Sequence, residues 1–200
     1  MLSIKKANKN IAVYFIRYLH SIQECKNAAT EIAYFFKNTD VSFYSHCVGS
    51  ALALNIILHL ERNNISVKHY CAAASIPPAK PTKNNIWNKV SDTLLRTILS
   101  KAGAKLDNLS DEKLVQLLGR FRKDTDFANI SYFEFNGEIK TPVTVILSKK
   151  DIFTLNYRQA EKLWKMYVSN VTDVHYINSK SHYFQTDNSA CLAEFLLKMI

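Results

Sequence analysis

Ser45-His46-Cys47-Val48-Gly49 places a thiol between two small residues. A short β-like run over 41–45 precedes it and an apolar helical run over 50–61 follows. That is the strand, tight turn and helix of a nucleophile elbow, whose sharp turn favours small side chains two residues before and after the nucleophile. A thiol attacks as the thiolate, which a helix N-terminus and a neighbouring imidazole both favour. Cys47 is expected to have both, with His182 as the imidazole. Downstream, the β-rich apolar run over 142–148 leads into Lys149-Lys150-Asp151. A later strand over 173–178 leads into Ser179-Lys180-Ser181-His182-Tyr183-Phe184. His182 is placed to take the thiol proton, and Asp151 to orient the ring and stabilise its charged form. The backbone N–H of Val48 is one oxyanion donor. His46 is read as a pocket-shaping residue, His59 and His69 as packing or surface residues. Asp173 competes with Asp151 as the acid. Asp151 is preferred because it follows the C-terminal end of a strand, where open α/β sheets place their sites.

The elements that must position these residues alternate strand and helix. A first strand is expected over 10–18, a helix over 23–36, a strand over 41–45, a helix over 50–61 and a strand over 67–74. Pro77, Pro78 and Pro81 then forbid continued helix. The pattern over 85–137 is helical without a strand, with helices over 87–102, 110–122 and 125–135. The first two read as a lid inserted at about 80–125 of a single domain spanning residues 1–200. A strand over 142–148, a helix over 156–168, a strand over 173–178 and a helix over 189–199 complete the chain. Nucleophile, acid and histidine, each after a strand, follow the chain order of the α/β-hydrolase triad. The fold class is therefore α/β: a mostly parallel sheet with helices on both faces.

Several blocks carry a family resemblance. FYSHCVGSALALNIILHLER resembles the elbow and following helix of thioesterases serving nonribosomal peptide and polyketide assembly lines, particularly the free-standing type II enzymes. LSDEKLVQLLGRFRKDTDFANISYF resembles their lid and the helix returning from it. IKTPVTVILSKKDIFT resembles the strand and loop bearing the catalytic acid, and SHYFQ the segment bearing the histidine. The resemblance runs from about residue 11 to the C-terminus. In this chain Cys47 stands in place of the family's common Ser and Ser181 in place of a Gly, and the domain's opening strands and second oxyanion loop are missing. The resemblance implies hydrolysis or transfer of acyl or peptidyl groups from a carrier protein. The thioester's phosphopantetheine belongs to the substrate, and the enzyme has no cofactor of its own. Exchanging one thioester for another leaves acyl-Cys47 activated, so transfer and cyclisation stand beside hydrolysis. Two other readings stay open: a catalytically silent binding subunit, and a cysteine-dependent esterase or lactone hydrolase acting on small molecules.

Composition bounds the setting. The 200 residues, 48% hydrophobic, have enough chain for a substantial core. The net charge of +9 is spread along the chain, with no basic run of five residues. That argues against nucleic acid and fits an acidic protein partner. No apolar run approaches the ~18 residues of a membrane span, and the lysine-flanked run over 11–16 lacks a cleavage site, so neither membrane nor secretion is expected. Cys25, Cys47, Cys71 and Cys191 show no metal-ligand spacing, and free thiols suit a reducing cytoplasm. A sheet beginning near residue 11 exposes an apolar edge, which self-association or an upstream segment is expected to cover.

Overall fold

The computed structural model describes residues 12–199. It contains α1 (Ile22–Phe35), β1 (Ser42–His46), α2 (Gly49–Arg62), β2 (His69–Ala73), α3 (Asp92–Lys101) and α4 (Asp111–Glu134). These are followed by β3 (Val143–Leu147), α5 (Ala160–Trp164), β4 (Val171–Tyr176), α6 (Phe184–Asp187) and α7 (Ser189–Leu197). The four strands form one sheet in the order β1-β2-β3-β4, every pair parallel. Parallel neighbours require a long crossover, and a helix-bearing segment lies between each pair of strands.

The strands' two-residue period divides the core. Tyr70 and Ala72 of β2, with Val143, Val145 and Leu147 of β3, join α1, α2 and α5 in one cluster. Cys71, Ala73 and Ile146, pointing the other way, pack with Phe184 and with Leu192, Ala193 and Leu196 of α7. Both faces of β2 and β3 are thus covered by helices, and all five residues of β3 are buried. A third cluster, Leu95 and Leu99 of α3 with Leu106 and Leu118, joins α3 to α4 outside the sheet.

Four expectations change. The first strand fails: residues 12–18 form no strand, and Tyr14, Phe15 and Ile16 are exposed. Residues 10 and 11 of that reading lie outside the described ones. A β-rich run becomes a strand only when a neighbour completes its ladder, and among the described residues β1 pairs only with β2. The helix read over 87–102 is a 3-10 turn (Ile86–Lys89) and then α3, because Ser91 starts a new helix by accepting the Leu94 N–H at 3.3 Å. The helices read over 110–122 and 125–135 are one, α4. Nothing in Lys123-Asp124 breaks a helix, and the Thr125 hydroxyl donates back to the Phe121 carbonyl at 2.9 Å. The helix read over 156–168 is a 3-10 turn (Tyr157–Gln159) followed by α5.

Arg122 fastens the segment ahead of α3 to α4. It donates from Nε to the Trp87 carbonyl at 3.1 Å and from Nη2 to the Val90 carbonyl at 2.8 Å and Asp92 Oδ1 at 2.7 Å. Among the described residues no helix is long and apolar enough to cross a membrane.

Candidate functional site

The elbow forms where β1 ends. Cys47 adopts φ 54°, a left-handed conformation costing an L-residue about 1–2 kcal/mol. Two bonds hold it there: its N–H donates to the Ala73 carbonyl at 2.9 Å, and its carbonyl accepts the Ser50 N–H at 3.0 Å. Beneath the turn, the Ser45 hydroxyl is hydrogen bonded to Tyr70 at 2.7 Å and Ser50 at 2.9 Å. Ser45 thus satisfies buried polar groups as well as being small. The crowding at position 49 is milder than the motif suggests, since a Cβ there would meet Ser45 Cβ at an ordinary 3.8 Å. The strain sits on the nucleophile position itself. Val48 is the N-cap of α2, and among the described residues no protein acceptor occupies its N–H.

His182 and Asp151 meet although they lie 31 residues apart, with Nδ1 of the ring 2.8 Å from Oδ2 of the carboxylate. Both are almost wholly buried, at 2% and 0% exposure. Asp151 also accepts the Phe153 N–H on Oδ1 at 2.9 Å and the Thr154 hydroxyl on Oδ2 at 3.0 Å. Burial alone would raise its pKa, but these donors, led by His182, hold the carboxyl below its usual range. Burial likewise opposes a charged imidazole. The hydrogen bond to Asp151, with the neighbouring Cys47, outweighs it, and the His182 pKa is pushed up to about 9. Because the carboxylate takes the Nδ1 proton, Nε2 is the ring atom left to exchange a proton with the thiol. The trio can therefore generate a nucleophile and store its proton.

The histidine loop is anchored to the end of α3. The His182 N–H donates to the Ala102 carbonyl at 2.8 Å, and the Ser181 hydroxyl donates to the same oxygen at 3.4 Å. Ser181 Oγ also accepts the Tyr183 N–H at 2.9 Å, so the serine that departs from the family pattern closes this loop. Gly103 makes the approach possible: it has φ 101°, and a Cβ on it would lie 2.3 Å from Ser181 Oγ. Phe153 and Tyr183 contact the His182 ring edge-on, with centroids 4.9 and 5.3 Å away. Gly103, Phe153 and Thr154 were not singled out from the sequence. A glycine just past a helix end was the signal available for the first of them.

The other candidates separate clearly. His46 packs against the His182 ring at 5.2 Å and Phe184 at 5.3 Å, with Tyr44 OH 3.4 Å from its Nδ1. Burial first, then the charge of His182, push its imidazole down to about 3, leaving it neutral beside the site. Asp173 is exposed on β4, and the carboxylate on His182 is that of Asp151. His69 is hydrogen bonded to Thr144 at 3.0 Å, and His59 lies in the last turn of α2. Burial pushes the Cys25 thiol up to about 11 and that of Cys71 to about 12, so neither is a ready nucleophile near neutrality. Cys191 is exposed. Among the described residues no group of three or more His, Cys, Asp or Glu is arranged to hold a metal ion. Two cavities reach Cys47. One of about 170 Å³ is bounded by Phe121, Asp124, Phe153 and Tyr183. The other, of about 390 Å³, lies towards Ser75, Pro77, Asn129 and Gln159.

No protein-family model matches the sequence, and comparison with curated proteins gives no match. Solved structures do match. The type II thioesterase BorB from the borrelidin biosynthetic cluster superposes with a TM-score of 0.70 at 17% identity, over 90% of this chain and 74% of that one. The thioesterase RedJ from the prodiginine pathway of Streptomyces coelicolor gives 0.73 at 16% identity, over 90% and 71%. Human thioesterase 2 gives 0.67 at 16% identity, over 95% and 86%. The parallel sheet, the helices on both its faces and these superpositions together show that the chain has an α/β-hydrolase fold of the form seen in type II thioesterases.

Proposed function

We propose that this protein is a thioesterase that takes an acyl or peptidyl group from a carrier protein's phosphopantetheine thiol onto Cys47. The observation that carries the reading is the strained Cys47 elbow lining one cavity together with His182, which is paired with the buried Asp151, while a second cavity also reaches Cys47. His182 Nε2 accepts the thiol proton and the thiolate attacks the thioester carbonyl. Charge developing on that oxygen meets the Val48 N–H at the start of α2. When the tetrahedral species collapses, the pantetheine sulfur leaves with the proton returned by His182. Acyl-Cys47 is itself a thioester, close in energy to the substrate. It is then attacked by a water that His182 deprotonates, giving the acid and the free thiol. An amine or a second thiol can take the place of that water. Asp151 keeps the ring oriented and its charged form favourable in both halves of the cycle.

The family resemblance and the superposed type II thioesterases favour a carrier protein as the partner, and the net charge of +9 suits an acidic one. Rates with a carrier-linked acyl group and with the same acyl group on free pantetheine test this. The carrier-linked substrate should be used better, by a margin that shrinks as salt rises, because exposed charges are screened over about 8 Å at physiological ionic strength. Equal use of both at low and high salt would contradict a carrier partner.

A further inference from the structure

The two cavities that reach Cys47 differ in chemistry and share a wall. The smaller, of about 170 Å³, is lined by Cys47, Val48 and His182 together, and its other large side chains are Phe121, Phe153 and Tyr183. Two more residues line it, and their polar atoms are already engaged or shut away. The Thr125 hydroxyl donates to the Phe121 and Arg122 carbonyls and accepts from Asn85 Nδ2 at 2.9 Å. Asp124 Oδ1 is closed off from solvent, and its Oδ2 has Arg120 Nε at 3.9 Å. The larger cavity, of about 390 Å³, has Ser75, Asn129, Asn156 and Gln159 in its lining. Phe121, from α4, and Phe153, from the loop after β3, are the large side chains found in both linings. Their ring centroids lie 6.3 Å apart, and Trp87 meets them edge-on at 5.4 and 5.8 Å. Arg122 Nε holds the Trp87 carbonyl at 3.1 Å, and all three rings pack on the buried Leu95, Leu99, Leu106 and Leu118. A ring trio seated on a close-packed cluster yields little to a ligand pressing on it.

We propose that the smaller cavity is the acyl site and that the Phe121–Phe153 ring pair ends it, so that these two residues set the longest apolar acyl chain the enzyme accepts. The proposal rests on the thioesterase reading and deepens it by naming the acyl class. An apolar cavity of about 150 Å³ takes up benzene, so one of about 170 Å³ suits a chain of about four to six carbons. Such a chain gains about threefold to fourfold in binding for each methylene buried. The pantetheine arm lies on the other side of the ring pair, where its amides find polar side chains at Asn129, Asn156 and Gln159. Beyond the limit each added carbon presses on the rings, and overpacking of a fixed wall costs about 5- to 150-fold.

Acetyl-, butyryl-, hexanoyl-, octanoyl- and decanoyl-pantetheine provide the test. In the wild type kcat/KM should rise by about threefold to fourfold per methylene to a peak at butyryl or hexanoyl, and decanoyl should fall at least ~10-fold below hexanoyl. Phe121→Ala opens the wall between the compartments, and the decanoyl-to-hexanoyl ratio should rise by at least ~10-fold. Phe121→Leu, which keeps an apolar contact for Trp87 in case the alanine variant does not fold, should raise the same ratio by about threefold or more. A wild type with no peak below octanoyl, or a ratio unchanged in the Phe121 variants, would overturn the assignment. Failure of every thioester to acylate Cys47 would instead overturn the thioesterase reading. Binding separates the two cases, with analogues that carry nitrogen in place of the thioester sulfur and do not react. The hexanoyl amide should bind Cys47→Ala at least ~10-fold more tightly than the decanoyl amide, and Cys47→Ala/Phe121→Ala should lose that difference. Equal binding of both amides to Cys47→Ala would reject the length limit whatever the turnover shows.

Discussion

Replacing Gly103 by alanine should damage the histidine loop from the end of α3, and the size of the effect follows from geometry. The new Cβ would lie 2.3 Å from Ser181 Oγ, 3.0 Å from its Cβ and 3.4 Å from its Cα. Since the Ser181 Cβ at 3.0 Å stays in place when χ1 rotates, a rotamer change in Ser181 cannot relieve the whole contact. Two costs add. Left-handed backbone at φ 101° costs an alanine about 1–2 kcal/mol, and overpacking of this kind about 1–3 kcal/mol. A total of about 2–5 kcal/mol is within what a domain of ordinary stability survives. What moves is the residue before His182, whose own N–H is tied to Ala102. A shift of about 1 Å there should slow acylation of Cys47 by up to ~100-fold. Urea unfolding measures the first effect and the rate of acyl loading the second. Gly103→Ala/Ser181→Gly removes the Oγ and Cβ contacts but not the backbone strain. It should therefore recover about 1–3 kcal/mol of the loss and most of the loading rate. Full stability in Gly103→Ala, or a double variant no better than the single, would refute the claim that the end of α3 positions His182.

Two further outcomes follow from the buried pair. Asp151→Asn should slow turnover substantially and bring the His182 titration, followed by NMR, from about 9 to the ordinary histidine value near 6.5 or below. Asp173→Asn should change neither, and a larger loss there than in Asp151→Asn would mean that the wrong carboxylate had been assigned. The second outcome concerns stability against pH. Because the folded pKa of His182 is raised, its contribution is complete below about 6.5 and is lost as pH rises through about 9. Asp151, with a lowered pKa, acts the other way, and its contribution is lost only as pH falls through the carboxylate range. Chemical denaturation should show the stability advantage of wild type over His182→Gln shrinking between pH 6 and pH 9.5, and a constant advantage would contradict the raised pKa.

The site was legible where chemistry follows directly from local pattern. Strand, small residue, thiol and helix gave the elbow, and an acid or a histidine just beyond an apolar run gave Asp151 and His182, which the fold brings to 2.8 Å. Strands 67–74 and 142–148 were readable because buried parallel strands are near-continuous apolar runs, and 41–45 and 173–178, which are less buried, from their β-branched and aromatic residues. What failed depends on partners distant in sequence. The apolar run over 12–16 looks like a strand, but only a neighbouring ladder could make it one. The break before α3 was written in Ser91-Asp92, an N-cap signature hidden inside a helical pattern. Gly103 gains its meaning from Ser181, which is 78 residues away.

The central claim is that Cys47 carries the acyl group. Intact-mass analysis with peptide mapping, after brief exposure to an acyl-pantetheine thioester, addresses it without assuming a pathway or a partner. The account predicts one acyl adduct, mapped to Cys47, that is absent in Cys47→Ala, slowed by orders of magnitude in His182→Ala and retained when Cys25, Cys71 or Cys191 is replaced by alanine. An adduct that persists in Cys47→Ala, or a wild-type protein that turns over the thioester with Cys47 already blocked by alkylation, would contradict it.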